Sequence, residues 1–292
     1  VSKPRWLLLL LLLLLVVGGL LFAGHWLTRA PAARSLPVPP ALHSHSLVLT
    51  DGAGQRIAAT ALPGRPGAGA VLILHHRHSS RLAMWGRAQA LQQQGVAVMF
   101  IDLQGHGDSD GERRGYGRLE VPAVRAAWDW MQTRWPAERK AVIGISLGAA
   151  AWVFADASPK PDAVVLEMLY SRLDEAVDNR LRLRLGDAGP WLRPLLGWQL
   201  PLWVGSGLEA HRPIDALAQL AAPLLLVAGS DDQHATAAQS LRLFAAAAGP
   251  KSLWMIDGAA HADFQAFDPV GYRQRVIGFL RQHLQQPRET AA

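Results

Sequence analysis

The 292-residue sequence contains no cysteine. Disulfides, thiol nucleophiles and cysteine-ligated metals are therefore excluded, while the redox compartment stays open. Also missing is any block of Lys and Arg interleaved with aromatics. The 29 basic residues are scattered against 23 acidic ones, so nucleic acid is not an expected partner. The net charge of +6 fits a mild attraction to anionic lipid headgroups instead. No internal repeat is present. Half of the residues are apolar. The length suffices for one large α/β domain with a full core, or for two small ones.

The amino-terminal region supplies what the composition only hints at. Trp6 to Ala23 is apolar throughout, interrupted only by Gly18 and Gly19, and opens with nine consecutive leucines, Leu7 to Leu15. About 20 helical residues cross a hydrocarbon layer of about 30 Å. Lys3 and Arg5 precede the run, and Trp6 and Trp26 sit where interfacial aromatics belong. A cleaved signal peptide would carry a shorter apolar region and a nearby small-residue site. Ala30-Pro31-Ala32 offers such a site, but beyond Arg29 and far past the run. Residues 1–28 are thus expected to be an uncleaved transmembrane signal anchor. Lys3 and Arg5 are opposed by Arg29 and Arg34, which slightly favours a cytoplasmic amino end and an extracytoplasmic globular part. Residues 29–45, rich in Pro and Ala, read as a stiff tether.

Beyond the tether, short apolar runs alternate with helical patterns. Ser46–Thr50 and Arg56–Leu62 read as strands joined by a turn at Asp51-Gly52-Ala53-Gly54. Ala70–His75, Val96–Leu103, Lys140–Ile143, Ala163–Met168, Leu224–Ala228 and Ser252–Ile256 read as buried strands. Helices are expected over Arg81–Gln94, Arg118–Trp135 and Val270–Gln285. This alternation predicts a mostly parallel sheet covered by helices on both faces, with chemistry at the carboxyl ends of its strands. Tyr170–Leu220 breaks the alternation and holds Trp191, Trp198 and Trp203 among many leucines. It reads as a small cap over the site; packing on the core and facing a membrane are the alternatives. Residues 46–286 form the expected globular domain, and 287–292 a disordered tail.

Within that domain, Gly144-Ile145-Ser146-Leu147-Gly148 follows a strand and precedes the helix-capable run Ala149–Phe154. Strand, tight turn and helix together hold Ser146 out at the carboxyl edge of the sheet, and the glycines leave room for the sharp backbone. A serine hydroxyl is a weak nucleophile at neutral pH. It needs a base in hydrogen-bond reach, and the base needs an acid to fix its tautomer. His261 lies in a loop after the last strand, from which it can reach back across the strand ends. Asp231 and Asp232 end the strand Leu224–Ala228 through Gly229-Ser230, and Glu167 ends the preceding one. All three are candidates for the acid. A tetrahedral oxyanion needs two N–H donors, one of them the backbone of Leu147. The second belongs to the loop after Leu72–His75. His75, His76 and His78 in that loop could alternatively bind a metal, but no neighbouring acid completes the set.

Taken with Asp102-Leu103-Gln104-Gly105-His106-Gly107-Asp108-Ser109, which matches a D-x-x-G-H-G-x-S loop, the chain resembles the α/β-hydrolase superfamily. The likeness covers roughly Ser46 to Gln285 and is to bacterial, membrane-anchored members. It implies an eight-stranded sheet, an acyl-enzyme intermediate, no cofactor, and ester, thioester or amide chemistry on a small-molecule or lipid acyl substrate. The family order of Ser, acid and His selects Ser146 and His261, since only His283 follows, inside the last predicted helix. The family's G-x-x-D turn selects Asp232. Relatives usually carry His-Gly where this chain has His75-His76, which puts a β-carbon at a sharp turn; Arg77 is then the expected second oxyanion donor. His106 falls outside the triad order and reads as structural. Two alternatives share these residues: an acyltransferase using the same triad, and a catalytically silent hydrolase fold serving as an interaction module at the membrane. The oligomeric state is not legible in the sequence.

Overall fold

The computed structural model describes residues 5–30, 38–43 and 45–285. Eight strands form one sheet: β1 (Ser46–Thr50), β2 (Arg56–Leu62), β3 (Ala70–Leu74), β4 (Ala97–Ile101), β5 (Lys140–Ile145), β6 (Ala163–Glu167), β7 (Leu224–Gly229) and β8 (Lys251–Ile256). Their order across the sheet is β1-β2-β4-β3-β5-β6-β7-β8. β1 and β2 pair antiparallel, β2 meets β4 antiparallel, and every later pairing is parallel. The strand expectations hold, with ends one or two residues shorter at β3, β4 and β6 and one or two residues longer at β5, β7 and β8.

The strands from β3 to β7 are buried along their whole length, because helices cover both faces. Side chains alternate between two cores at the strand period of two. Leu72, Leu74, Met99 and Val142 pack on one side with Trp128 and Trp152. Val71, Ile73, Phe100 and Ile143 pack on the other with Met84, Leu91 and Leu280.

The helices used below are α1 (Arg5–Thr28), α2 (Trp85–Gln92), α3 (Val121–Arg134), α4 (Leu147–Ala155), α5 (Leu173–Leu185), α6 (Arg193–Gly197), α7 (Leu200–Val204) and α8 (Ala237–Ala246). The stretch expected as a helix from Arg81 opens instead with a tighter 3-10 turn, Arg81–Met84. The cause is local: the backbone N–H and guanidinium of Arg81 both bind the buried carboxylate of Asp102, which holds the entry before α2 can begin. The final helix is interrupted by a wide turn at Arg273–Ile277. Between β6 and β7 lie α5, a 3-10 stretch at Gly186–Leu192, α6, α7 and two further short turns. They make the helical insertion expected at 170–220.

α1 is 24 residues long, about 36 Å at 1.5 Å per residue. It is the one described helix long and apolar enough to cross a bilayer, with a mean hydropathy of 3.0 over an 18-residue window within Trp6–Thr28. Its carboxyl end is fastened to the globular part. Arg114 N donates to Thr28 O (2.7 Å), Ala30 N donates to Glu112 O (2.9 Å), and Arg29 bridges Arg113. Gln199, entering α7, donates from Nε2 to Leu20 O (2.9 Å). Gly24 makes the close approach possible, since a β-carbon there would fall 2.1 Å from Gln199 Oε1. Of the expected tether, residues 31–37 and 44 lie outside the described residues, as does the tail 287–292.

Candidate active site

Ser146 sits at the junction of β5 and α4, with φ 50° and ψ −102°. A residue with a β-carbon occupies this region only where its surroundings hold it there, at about 1–3 kcal/mol of strain. The surroundings are visible. Ser146 N donates to Glu167 O across to β6 (2.8 Å), and its carbonyl receives Ala150 N of α4 (3.1 Å). The two flanking glycines are needed by contact rather than by φ. A β-carbon on Gly148 would fall 2.4 Å from Leu74 O, and one on Gly144 would fall 2.7 Å from Ala149 Cα. Only bare backbone lets α4 start so close to β3 and β5.

Three side chains from three strand ends then meet. Ser146 Oγ lies 3.2 Å from His261 Nε2, and His261 Nδ1 lies 2.7 Å from Asp232 Oδ2. Asp232 is buried, and its other oxygen accepts the N–H groups of His234 (2.7 Å) and Ala235 (2.9 Å). A carboxylate held this way orients the imidazole with Nε2 toward the serine. The tight turn after β7 has its own reason: a β-carbon on Gly229 would fall 2.1 Å from Ala259 O, in the loop carrying His261.

The other two acid candidates go elsewhere. Asp231 is exposed, with its carboxylate accepting from Ser230 Oγ (3.1 Å). Glu167 is fully buried and accepts from Arg87 Nη2 (3.0 Å) and Tyr272 Oη (2.6 Å). Arg87 also donates to Asp263 (3.1 Å), two residues beyond His261. Burial is the largest influence on Arg87 and disfavours its charge, but Glu167, Tyr272 and Asp263 together outweigh it and hold the guanidinium protonated, with its pKa raised above the ordinary value. Arg87 and Tyr272 thus brace the histidine loop against the sheet, a role that no motif announces. A solvent-open cleft of about 510 Å³, lined by His76, Met84, Arg87, Met168 and His261, opens beside the imidazole.

The loop after β3 departs from the expected glycine without a left-handed turn at His76. The residue with positive φ is His78, at 63°. His75 is buried; its Nδ1 lies 2.7 Å from His76 O, and its Nε2 accepts Leu103 N (3.0 Å). This pair of bonds fits the neutral ring, and burial holds its pKa well below the ordinary histidine value. His76 Nδ1 lies 2.7 Å from Arg77 O, and His78 Nδ1 lies 2.9 Å from Arg114. The three rings therefore spread to separate partners, and among the described residues no three His, Asp or Glu side chains gather at a metal-binding spacing. The Arg77 guanidinium lies over the Tyr116 ring (4.9 Å) and donates to the Leu27 carbonyl of α1. Leu147, opening α4, has one of the N–H groups that a helix start leaves without an intrahelical acceptor.

The D-x-x-G-H-G-x-S loop is a brace. Asp102 accepts Asp108 N (2.9 Å) as well as Arg81, and Gly107 lies against it, where a β-carbon would fall 2.2 Å from the carboxylate. Ser109 Oγ donates to Asp102 O (2.7 Å) and accepts Ala58 N (2.9 Å), tying the loop to β2. His106 is buried edge-on against His75, and burial pushes its pKa down to about 3.

Comparisons with known proteins agree with this architecture. A family model described as "Serine aminopeptidase, S33" (Hydrolase_4) matches residues 65–182 and so ends before Asp232 and His261. An uncharacterized protein of Mycobacterium tuberculosis is 31% identical over 221 residues, covering 74% of this chain and 71% of the relative. The uncharacterized protein YqkD of Bacillus subtilis is 26% identical over 192 residues, covering 64% of this chain and 62% of YqkD. Among solved structures, the Pyrococcus furiosus esterase Pf2001 superposes with a TM-score of 0.73 at 20% identity, covering 88% of this chain and 98% of its own. An esterase from Exiguobacterium antarcticum reaches 0.61 at 14% identity, covering 80% and 98%. The chain belongs to the α/β-hydrolase superfamily.

Proposed function

We propose that this protein is a membrane-anchored serine hydrolase that cleaves carboxylic esters or related acyl compounds. The observation that carries the proposal is the chain of contacts from Ser146 Oγ through both nitrogens of His261 to Asp232. In this reading Ser146 Oγ attacks the acyl carbon while His261 Nε2 takes its proton, and Asp232 stabilises the imidazolium. Backbone N–H groups of Leu147 and Arg77 hold the oxyanion. His261 returns the proton to the leaving group, and the tetrahedral species collapses to a Ser146 acyl ester. Water, deprotonated by His261, then releases the acid and restores the serine. No cofactor is required. The esterase names of the solved neighbours support ester chemistry, and the aminopeptidase description of the family model makes amides the competing class.

α1 is proposed to remain as a single-pass anchor in a bacterial inner membrane, with the hydrolase domain on the extracytoplasmic side. Support comes from its length, from Lys3 and Arg5 ahead of it, and from relatives in two bacteria. The experiment for the chemistry uses the full chain in detergent, with a fluorophosphonate probe and a chain-length series of p-nitrophenyl esters. The probe should label Ser146, and Ser146→Ala should lose both label and turnover, by about 10⁶-fold in rate. A folded Ser146→Ala protein with near wild-type turnover sinks the assignment. A wild-type chain that neither labels nor turns over marks a silent fold, and acyl transfer to an added alcohol marks a transferase.

A further inference from the structure

The insertion between β6 and β7 has an unusual surface. Trp191 is 83% exposed, Leu202 64% and Trp198 53%, and Leu183, Leu185, Leu192 and Leu195 are exposed beside them. Elsewhere on the described globular part the exposed large apolar residues are few, Val48, Leu241, Phe267 and Val270, which is ordinary. A concentration of tryptophan and leucine within about twenty residues is not ordinary for a surface facing water. The same insertion carries exposed Arg182 and Arg184. Tryptophan, leucine and arginine together are the composition of a segment lying in a membrane interface.

Position gives the second, independent argument. α7 is hydrogen-bonded to α1 at Leu20, three residues before the apolar run ends at Ala23. At 1.5 Å per residue that point lies about 4.5 Å inside the apolar run. Trp203 of α7 packs edge-on against His25 (5.3 Å), one turn further along α1. The start of α7, and with it Trp198 and Leu202, therefore stands at the depth where α1 leaves the hydrocarbon.

We infer that the exposed apolar face of the insertion is a second membrane contact, embedded in the interfacial layer of the bilayer that α1 spans. The occupant of this face is lipid. The inference rests on α1 being retained as a span and deepens that reading: the enzyme touches its membrane at two places, and the cap is one of them. The cavity lined by Leu27, Tyr116, Val177, Leu196 and Trp203 opens between the two contacts. Its Tyr116 carries the Arg77 guanidinium of the proposed oxyanion loop, which links this face to the site by contact.

A chain without cysteine makes the test direct. Trp191→Cys, Leu202→Cys, Val48→Cys and Leu11→Cys each introduce a single thiol, which is labelled with an environment-sensitive fluorophore in detergent. The full-length protein is then reconstituted into phosphatidylcholine–phosphatidylglycerol vesicles containing spin-labelled lipid. Labels at Trp191 and Leu202 should be quenched by the lipid at least about twofold more than at Val48, as for a face sunk about 5–10 Å into the headgroup boundary. They should also be shielded from aqueous iodide. Quenching at Leu11 but not at Trp191 or Leu202 overturns the inference and leaves the anchor standing. Shielding from iodide without lipid quenching means that another protein copy covers the face, and overturns it too. Absence of quenching at Leu11 takes down the anchor reading and the inference with it.

Discussion

At the carboxyl edge of the sheet, Arg87, Glu167 and Tyr272 are all buried, and each polar group has a partner. In the insertion above that edge the arrangement is inverted, with Trp191, Trp198 and Leu202 turned outward. The first region obeys the rule for a core in water, where a buried charge must be paired and apolar area must be covered. The second breaks it while keeping ordinary helical geometry. Aromatic side chains therefore mean different things in the two places. Trp128 of α3 and Trp152 of α4 meet edge-on at 4.9 Å and pack the helix that follows the nucleophile turn onto its neighbour. Trp191 and Trp198 of the insertion turn most of their surface outward instead.

The contrast sharpens most at the acid. Asp232→Asn should lower kcat on an activated ester by about 10⁴-fold, because the amide favours the wrong imidazole tautomer. Asp231→Asn, one residue away but exposed, should stay within a few-fold of wild type. Parallel kinetics on both variants decide the matter; a crippled Asp231→Asn with an active Asp232→Asn would overturn the register of this turn. Next in size is the brace. Arg87→Ala leaves Glu167 buried without its cation and should cost about 3–5 kcal/mol in chemical denaturation. A loss below 1 kcal/mol would show that the pair is not a support.

Acid should also strain the core more than the surface. His75 and His106 are buried with pKa values held below the ordinary 6.5, that of His106 at about 3. The unfolded chain then binds more protons than the folded one below pH 6.5, so stability falls as pH drops through that window. His106 contributes a loss of about 2 kcal/mol between pH 7 and 5, and His75 acts in the same direction. Glu120 opposes them. Burial pushes its pKa up to about 7, so the folded state gains by taking a proton between pH 7 and about 4.5. Urea melts at pH 7 and 5 should show a shallower acid loss for His106→Gln and a steeper one for Glu120→Gln. Unchanged slopes in both would remove these groups from the pH response. The smallest effect belongs to the cap: Trp191→Ser should change stability in detergent by less than about 0.5 kcal/mol. Trp128→Ala, by contrast, should cost about 3–5 kcal/mol. A comparable loss at Trp191 would mean that its ring packs inside the protein after all.

Much of the fold was legible because it is written in local pattern. Runs such as Ala70–Leu74 and Leu224–Ala228 are too short and too apolar for surface helices, and Gly and Asp punctuate their ends. Gly144 and Gly148 signal a turn before any coordinate is known. What stayed hidden depends on distance along the chain. Arg87 meets Glu167 80 residues later and Asp263 176 residues later, and such pairings leave no period in sequence. Its one signal is a charged residue set between Met84, Ala88 and Leu91 on the buried side of a helix. The choice between Asp231 and Asp232 needed a family habit for the same reason, since adjacent side chains leave a turn in different directions. The outward cap tryptophans could not be told from core ones, because hydropathy does not say which solvent a side chain faces.

The docking of α1 has a mechanical consequence. A helix joined by a loose strap would let the body above it tumble, whereas here Leu20, Gly24 and Thr28 are engaged along one side of the rod. Rotation of that rod is thus transmitted to the sheet. One residue inserted near Val17 would turn the preceding part of α1 by about 100° relative to everything beyond it. With α1 as the proposed span, a foreign helix of equal length and oiliness would keep the body at the same membrane and lose its bearing, because the docked helix would set tilt and azimuth as well as address.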